Sequence, residues 1–512
     1  MRLGIDLGTT RTLVAAALDG RYALASFDDQ GEFRDHLPGI AARVDGELCY
    51  GWGAARALAA GAPDSLRSLK RAISGLGPDD QVPGLGASAL DLYTGFLRQL
   101  RADLLERSTL ELPAHADDGP LEAMVAVPAN ASSRQRYLTL EAFHRAGFRV
   151  LGMVNEPTAA AIEFAHNHLG GLGKRSPKRY VVVYDLGGGT FDTSAVSLDG
   201  RSFELIASEG IGRLGGDDFD DALLDAALDE AGIARASLAP GALAAAQELA
   251  RAAKEGLRAT TRRVLVDLGA ALPGAPAVTL ATADIYARCA PLIERSIALT
   301  EQLFARLAER GIDPDDGRQL GGLYLVGGAV AFPPVVQALR ARFGRKLQLA
   351  PQPHAATAVG LAVAADPAAG LLVREAVTRH FGVWREGDAG RDKVFDAILG
   401  KDTLGGDAGP ITVRRVYHPE HTIGHLRFLE CGGLGAGRQP ARDLTPWAEI
   451  RFPYDPALLG RDLGALPVER SSALASEEIA ETYTYQPGGM VAVEIANLTR
   501  GYARTYQLGQ LA

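Results

Sequence analysis

Apolar and polar positions follow two different patterns along the chain, and the change comes near residue 370. Before that point, short apolar runs alternate with stretches rich in Ala and Leu. Residues 181–184 (Val-Val-Val-Tyr) are typical of a strand, whereas residues 218–228 and 242–259 have the three-to-four spacing of helices. This alternation of strands and helices predicts an α/β fold.

Beyond residue 376 the helical spacing largely disappears. Short alternating segments, separated by turn residues such as Pro-Gly-Gly at 487–489, predict an antiparallel β module. The segments cover residues 411–417, 425–431, 447–453, 481–486 and 491–496. We therefore expect a first domain over residues 1–369, a linker over residues 370–376 that contains Leu371-Leu372-Val373, and a β-rich domain over residues 377–512.

One motif occurs twice in the first domain. Residues 4–10 (Gly-Ile-Asp-Leu-Gly-Thr-Thr) recur in altered form at residues 184–192 (Tyr-Asp-Leu-Gly-Gly-Gly-Thr-Phe-Asp). Each copy places an aspartate at the end of a strand, then a glycine-rich turn with a threonine, then another strand-like run. The repeat predicts two homologous subdomains that face one cleft.

Composition narrows the classes of function. The chain has 512 residues, of which 47% are hydrophobic, as in ordinary globular proteins of several domains. A formal charge of −9 and a pI near 5.7 argue against nucleic acid or an anionic membrane as the main partner. Cys49, Cys289 and Cys431 are too far apart for a metal site and are typical of a reducing compartment. Asp6 interrupts the first apolar run, and Gly and Pro interrupt the most apolar stretch (323–336), so we expect no signal peptide, no membrane span and a cytoplasmic protein.

The repeated turns have the chemistry of a phosphate site. Glycine lets the backbone approach closely and direct several N–H groups at one group of oxygens. The turn residues are Gly8, Thr9 and Thr10 in the first copy, and Gly187, Gly188, Gly189 and Thr190 in the second. The neighbouring Asp6, Asp185 and Asp192 suit a hydrated Mg²⁺ between carboxylate and phosphate. The alternative is that these turns are two unrelated hairpins that happen to be rich in glycine. The repetition of the whole motif makes this interpretation less favourable.

Two other nucleotide motifs compete with this interpretation. Residues 170–176 (Gly-Gly-Leu-Gly-Lys-Arg-Ser) resemble a P-loop fragment, but Arg175 stands where Ser or Thr must follow Gly-Lys, and His168 takes the place of the first glycine. Residues 210–215 match G-x-G-x-x-G, with Asp229 and Glu230 near the expected acidic position. A dinucleotide-binding fold would leave both aspartate–glycine–threonine turns unexplained.

Taken in order, these motifs resemble the nucleotide-binding domain of the seventy-kilodalton heat-shock (heat shock protein 70) chaperones. The matching segments are residues 4–10, 69–71, 125–136, 155–161, 185–192, 214–220 and 325–328. The shared core of actins and sugar kinases lacks the Asn-Glu-Pro-Thr-Ala-Ala-Ala of 155–161. The resemblance implies a duplicated actin-like (ribonuclease H-like) two-lobe ATPase domain, followed by an antiparallel β-sandwich domain.

The resemblance also implies roles for individual residues, with ATP or ADP and Mg²⁺ as cofactors. Lys70 would lie near the γ-phosphate, in a catalytic set with Glu156, Asp185, Thr190 and Asp192. Asp6 and Asp185 would hold Mg²⁺ through water. Beyond the two turns, nucleotide contacts would come from Gly215, Gly216, Lys254, Gly327 and Gly328. Pro128 and Arg136 resemble the family's relay between nucleotide and linker.

Several positions depart from the family pattern. Around the nucleoside, Arg251 replaces a glutamate, Arg258 a serine, Ala331 an arginine that stacks on adenine, and His354 an acidic residue. Gly152 replaces an arginine that helps engage the J-domain cochaperone, and Arg374 replaces the aspartate of the linker. Regulation by a J-domain protein is therefore in doubt.

Residues 447–455 and 481–497 resemble strands of the family's substrate-binding domain. Because few residues follow these strands before Ala512, we expect no helical lid. We expect nucleotide state to control an open β-sandwich that binds unfolded or extended peptide segments. Three alternatives stay open: a slow or inactive ATPase that serves one dedicated protein partner, a small-molecule kinase, and an unrelated β module fused to an ATPase.

Overall fold

The computed structural model describes residues 1–112, 119–169, 177–374, 377, 379–387, 392–401, 403, 411–442, 444–485 and 490–508. The P-loop-like fragment at 170–176, the turn at 487–489 and linker residues 375–376 lie outside them. The chain divides into two compact units: Met1–Ala129 with Leu138–Val373, and Asn130–Tyr137 with Arg374–Ala512. Within the described ranges, no helix has the length and apolar character that a membrane span requires.

The N-terminal part of the chain alternates strands and helices. Its elements are β1 (Arg2–Leu7), β2 (Arg11–Leu18), β3 (Arg21–Leu24), β4 (Phe27–Asp29), β5 (Glu32–Arg34), β6 (Leu37–Pro38), β7 (Ala41–Val44), β8 (Glu47–Tyr50), α1 (Gly51–Ala59), β9 (Ser65–Leu66), α2 (Leu69–Ile73), β10 (Gln81–Val82), β11 (Ala87–Ser88), α3 (Ala89–Glu106), β12 (Leu121–Val127), α4 (Ser133–Arg145), β13 (Phe148–Asn155) and α5 (Glu156–His168).

The alternation continues to residue 374. The elements are β14 (Tyr180–Leu186), β15 (Phe191–Asp199), β16 (Ser202–Ile211), α6 (Gly216–Ala231), α7 (Pro240–Glu255), β17 (Arg263–Asp267), β18 (Ala277–Ala281), α8 (Thr282–Glu309), β19 (Leu320–Val326), α9 (Pro333–Phe343), β20 (Leu347–Leu349), α10 (Ala356–Ala365) and β21 (Leu372–Arg374). The mixed α/β content expected from the sequence is confirmed. The helix expected over 242–259 ends earlier, because a turn begins at Gly256.

Two six-stranded sheets in the first unit share one strand order. The first runs β13-β12-β1-β2-β3, with β6 also paired to β2, and the second runs β20-β19-β14-β15-β16-β21. In each, the strand before a glycine-rich turn (β1 or β14) has a parallel neighbour on one side and an antiparallel hairpin partner on the other. The strand–turn–strand repeat in the sequence is therefore a repeat in the structure.

Helix α10 packs closely on β1 and α5, because small residues line the contact. A Cβ atom on Gly360 would clash with the Ala159 carbonyl, and one on Gly4 would clash with the backbone at Ala358 and Ala362. Glycine at these two positions therefore permits close approach of backbone to backbone. Helix α10 therefore packs directly against β1, the strand that ends at the turn containing Gly8, Thr9 and Thr10.

The second unit consists mainly of antiparallel strands. They are β22 (His380–Gly387), β23 (Asp392–Leu399), β24 (Ile411–Tyr417), β25 (Ile423–Cys431), β26 (Gly433–Leu434), β27 (Pro440–Ala441), β28 (Thr445–Pro453), β29 (Ile479–Tyr485), β30 (Val491–Asn497) and β31 (Tyr502–Leu508). They form four-stranded sheets in the orders β23-β22-β25-β28 and β24-β29-β30-β31, and a further pair, β26-β27. Buried side chains of both larger sheets share one core, including Phe381, Phe428, Tyr483 and Val493.

All five predicted strand segments of this unit are confirmed, and β24 has the bounds expected from the sequence. Strands β22, β23 and β31 were not predicted.

Candidate functional site

The two glycine-rich turns of the first unit face each other closely. A Cβ atom on Gly188 would lie 2.5 Å from the Cγ2 atom of Thr10, and one on Gly189 would lie 2.7 Å from the Cγ2 atom of Thr9. The second turn can come this near to the first because its residues lack side chains. The sequence repeat thus brings its two copies together at one place.

A cavity of about 560 Å³ lies between these turns. Most of the site residues expected from the sequence line it: Asp6, Gly8, Thr9, Thr10, Lys70, Glu156, Asp185, Gly187, Gly188, Thr190, Gly216, Lys254, Gly327 and Gly328. Residues separated by more than 300 positions therefore meet around one space that is large enough for a small-molecule ligand.

Three expected residues do not line the cavity. Gly189 packs against Thr9, and Gly215 lies where a Cβ atom would be 2.6 Å from the Gly188 carbonyl oxygen. Asp192 pairs with Asp185 across the β14–β15 hairpin. Gly189 and Gly215 thus allow the turns to pack together. The charge of Asp192 affects the cavity because it raises the pKa of Asp185.

Lys70 and Glu156 form an ion pair at the floor of the cavity, with 2.6 Å between Nζ and Oε1. Lys70 lies in α2, which follows Ser68 in the left-handed conformation, with φ of 52°. The Ser68 hydroxyl donates a hydrogen bond of 2.6 Å to Asp217, which holds this uncommon conformation in place. Glu156 is the first residue of α5, where a negative charge is favourable.

The carboxylates around Lys70 repel one another. Burial, together with the charge of Glu156, raises the pKa of Asp6 and that of Asp192 to about 7, although Lys70 opposes the shift. Burial and the three neighbouring carboxylates also raise the pKa of Asp185 well above its usual range. Burial alone would lower the pKa of Lys70, but Glu156, Tyr93 and Asp6 together outweigh it and raise the pKa.

Four carboxylates around one lysine leave a local excess of negative charge that a divalent cation would neutralise. No group of three or more ligating side chains in the described part of the chain is arranged to hold a metal ion directly. The donor set, which consists of oxygens only, fits Mg²⁺ that keeps much of its water shell.

Lys254 supports the loop at the start of α6. Its ammonium group donates a hydrogen bond of 2.8 Å to the Gly216 carbonyl and lies 2.6 Å from Asp220. Burial raises the pKa of Asp220 to about 6, despite the neighbouring lysine. The ammonium group still has a third N–H that can reach a ligand in the cavity.

The other end of the cavity contains charged residues that the sequence analysis did not assign to the site. Arg11, Asp217, Asp220 and Glu255 line it beside the departures noted above, Arg251, Arg258, Ala331 and His354. The Arg258 guanidinium donates to the carbonyls of Glu255 and Leu257. His354 lies 2.8 Å from Asp35, which also pairs with His36. Arg11 directly follows Thr10, and Glu255 directly follows Lys254, so proximity to predicted residues was the available signal.

The second unit has a cavity of its own, of about 1080 Å³. Arg385 lies at its floor, 2.7 Å from Glu481 and 2.9 Å from Asp396, and Arg415 also binds Asp396 at 3.0 Å. The hydroxyl of Tyr417 donates to Glu481 at 2.5 Å. These contacts make the floor a network of charges and hydroxyl groups rather than an aliphatic surface.

Comparison with known proteins identifies the family of the chain. The family model described as "Hsp70 protein" matches residues 97–378. The chain belongs to the Hsp70 family. A chaperone protein HscA homolog of Variovorax paradoxus (strain S110) is 37% identical over 401 residues, which cover 74% of this chain and 61% of that protein. The chain thus spans about three fifths of the length of this curated relative.

The family match covers only some of the residues that line the cavity. It begins at residue 97, so it includes Glu156, the second turn and Gly327–Gly328, but not the first turn or Lys70. The structure brings those earlier residues to the same cavity as the matched ones.

Proposed function

We propose that this Hsp70-family chain binds and hydrolyses ATP with Mg²⁺ in the cavity of the first unit, and that this unit has the two-lobe actin-like fold. The observation that carries the proposal is one lysine among four carboxylates, placed between two facing glycine-rich turns. Such hydrolysis depends mostly on positioning and on electrostatic stabilisation, for which this arrangement is suited.

Each group would have a separate task. The N–H group of Gly188, with the Thr10 hydroxyl, would bind phosphate oxygens. Asp6 and Asp185 would hold hydrated Mg²⁺, which supplies charge neutralisation for the phosphates when bound. Lys70, held by Glu156, would position the attacking water and stabilise charge that develops on the transferred phosphoryl group.

Phosphate release by the purified chain, measured with ATP as the only substrate, tests the proposal. We expect slow release that requires Mg²⁺ and stops on addition of EDTA. Release that appears only when a small-molecule acceptor is added would instead indicate a kinase. No release and no nucleotide binding would refute the proposal.

For the second unit we propose a β-sandwich that binds extended peptide segments under control of the nucleotide state. The support is the shared core of its two four-stranded sheets, which leaves strand edges able to pair with peptide backbone. A cytoplasmic location is part of the same proposal. Release of a labelled unfolded peptide, measured with ATP and with ADP, would differ if the nucleotide controls binding.

The charged cavity favours a second candidate, a module for one dedicated protein partner. A floor of Arg385, Asp396 and Arg415 offers charged and hydrogen-bonding groups, which select partners more narrowly than an aliphatic pocket does. Capture of one protein in equal amount to the chain would favour this candidate, whereas binding of many unrelated unfolded chains would favour the general chaperone.

A further inference from the structure

An ion pair at the rim of the nucleotide cavity is one of several contacts between the two halves of the first unit, the part that contains the β1 sheet and the part that contains the β14 sheet. Arg11 is the first residue of β2, directly after the first glycine-rich turn, and Glu255 is the last residue of α7. The Nη2 atom of Arg11 lies 2.7 Å from each carboxylate oxygen of Glu255. Strand β2 belongs to the first six-stranded sheet, whereas α7 packs on α6 in the core that contains β14.

The pair is the outer end of a series of alternating charges. Glu255 also accepts from Arg251 at 3.2 Å, Arg251 lies 3.4 Å from Glu248, and Glu248 accepts from Arg67 at 2.6 Å. Arg67 precedes α2, which carries Lys70. The series therefore begins in the first half at Arg11, continues along α7, and ends in the first half at Arg67. Each contact in it joins an acidic side chain to a basic one.

Exposure places Arg11 and Glu255 at the rim of the cavity. The side chain of Asp220 is 1% exposed and that of Lys254 is 9% exposed, whereas Arg11 is 26% and Glu255 is 45% exposed. The charges near the floor are thus buried, and the pair at the rim is open to solvent on one side. Screening by salt therefore weakens the rim pair more than the pairs below it.

Glu255 keeps a partner when Arg11 leaves. Burial would raise the pKa of Glu255, but Arg11 and Arg251 hold it below its usual value. If β2 and α7 move apart, Arg251 stays beside Glu255 on the same helix. When the rim opens, the Glu255 carboxylate is therefore neither buried nor unpaired. The ion pair with Arg11 thus adds only a modest barrier to opening, and it can form again when the rim closes.

We infer that Arg11 is a positioning residue that closes the nucleotide cavity by pairing with Glu255, and that this pair slows nucleotide release. The inference rests on the proposed binding of nucleotide in this cavity. A ligand held between the two turns leaves more readily when the rim opens, and opening separates Arg11 from Glu255. Release then accelerates as ionic strength rises.

The test is the rate at which a fluorescent ADP analogue leaves the full chain, measured by stopped-flow displacement with unlabelled ADP. We expect Arg11→Ala and Glu255→Ala each to accelerate release about two- to tenfold, as for a partly exposed ion pair. The double variant should release no faster than either single variant, because both changes remove one interaction. Arg11→Lys should restore part of the slow release. The salt dependence should be weaker in both alanine variants than in the wild type.

A matched control removes an exposed ion pair that lies outside the cavity. Arg288→Ala removes the contact between Arg288 and Asp229, at 2.9 Å, and should leave the release rate unchanged. Failure of the wild type to bind the analogue would refute the proposed function itself. Binding with unchanged release in Arg11→Ala would refute the rim pair, and so would additive effects of the two substitutions. Acceleration in Arg11→Ala but not in Glu255→Ala would also overturn it, because Arg11 would then act on the phosphates directly.

Discussion

Replacement of Lys70 by alanine should abolish most ATP hydrolysis and leave nucleotide binding largely intact. The side chain provides the ammonium group 2.6 Å from Glu156 at the floor of the cavity. Both glycine-rich turns remain in the variant, and they offer the backbone contacts on which phosphate binding depends. The substitution therefore separates binding from chemistry.

The size of the loss follows from the surroundings of the lysine. One preorganised electrostatic contact in a site that excludes water is typically worth ~3 kcal/mol of transition-state stabilisation, or about 150-fold in rate. A second effect adds to this at neutral pH. Lys70 lowers the pKa values of Asp6 and Asp192, so its removal favours their protonated forms and weakens Mg²⁺ binding. The second effect weakens as pH rises, so comparison of wild type and variant over a range of pH above 7 separates it from the first.

The assay compares single-turnover hydrolysis with nucleotide affinity measured by calorimetry, for wild type and variant in saturating Mg²⁺. Lys346→Ala is the matched control, because Lys346 pairs with Asp315 outside the cavity. Equal turnover in wild type and Lys70→Ala would refute the assigned role. A fall in affinity with unchanged turnover at saturating nucleotide would instead mean that Lys70 contributes only to ground-state binding.

Further substitutions and conditions test other parts of the structure. Burial raises the pKa values of Asp6 and Asp192 from near 4 to about 7, so the folded protein retains protons that the unfolded chain loses. The Tm of the protein without nucleotide should therefore fall as pH rises from 5 to 8. The Asp6→Asn variant should show a smaller fall. Ala331→Arg should tighten ADP binding about two- to thirtyfold in calorimetry, if an added cation stacks on the base. Arg385→Ala should cost about 3 kcal/mol in urea unfolding, because Glu481 is fully buried.

The glycine-rich turns were predictable because local sequence determines them. An aspartate at a strand end, followed by glycines and a threonine, specifies a turn at residues 7–10 whatever lies elsewhere in the chain. The pair of Arg11 and Glu255 was not predictable, because it joins residues 244 positions apart that share no motif. Strand β22 was missed for a different reason: Arg385, Glu386 and Gly387 interrupt the apolar pattern that identifies strands.

Strand β24 shows why the polar cavity of the second unit could not be derived from hydrophobicity. Hydrophobicity favours Val416 on the inner face, but alternation from Ile411 and Val413 places Arg415 there instead: Val416 is 49% exposed, while Arg415 lies over Asp396. The pairing with β29 sets Arg415 opposite Glu481 and Val416 opposite Ala480.

A slip by one residue would bury Val416 but would turn the whole inner face to solvent, which consists of Ile411, Val413, Arg415 and Tyr417. Glu481, which is 0% exposed, would then lose the Tyr417 hydroxyl and keep only Arg385 and Tyr483. Burying a carboxylate with fewer partners costs more than burying one valine gains. The apolar contacts of Ile411 and Val413 and the polar network therefore favour the same register, which places Arg415 at the floor of the cavity.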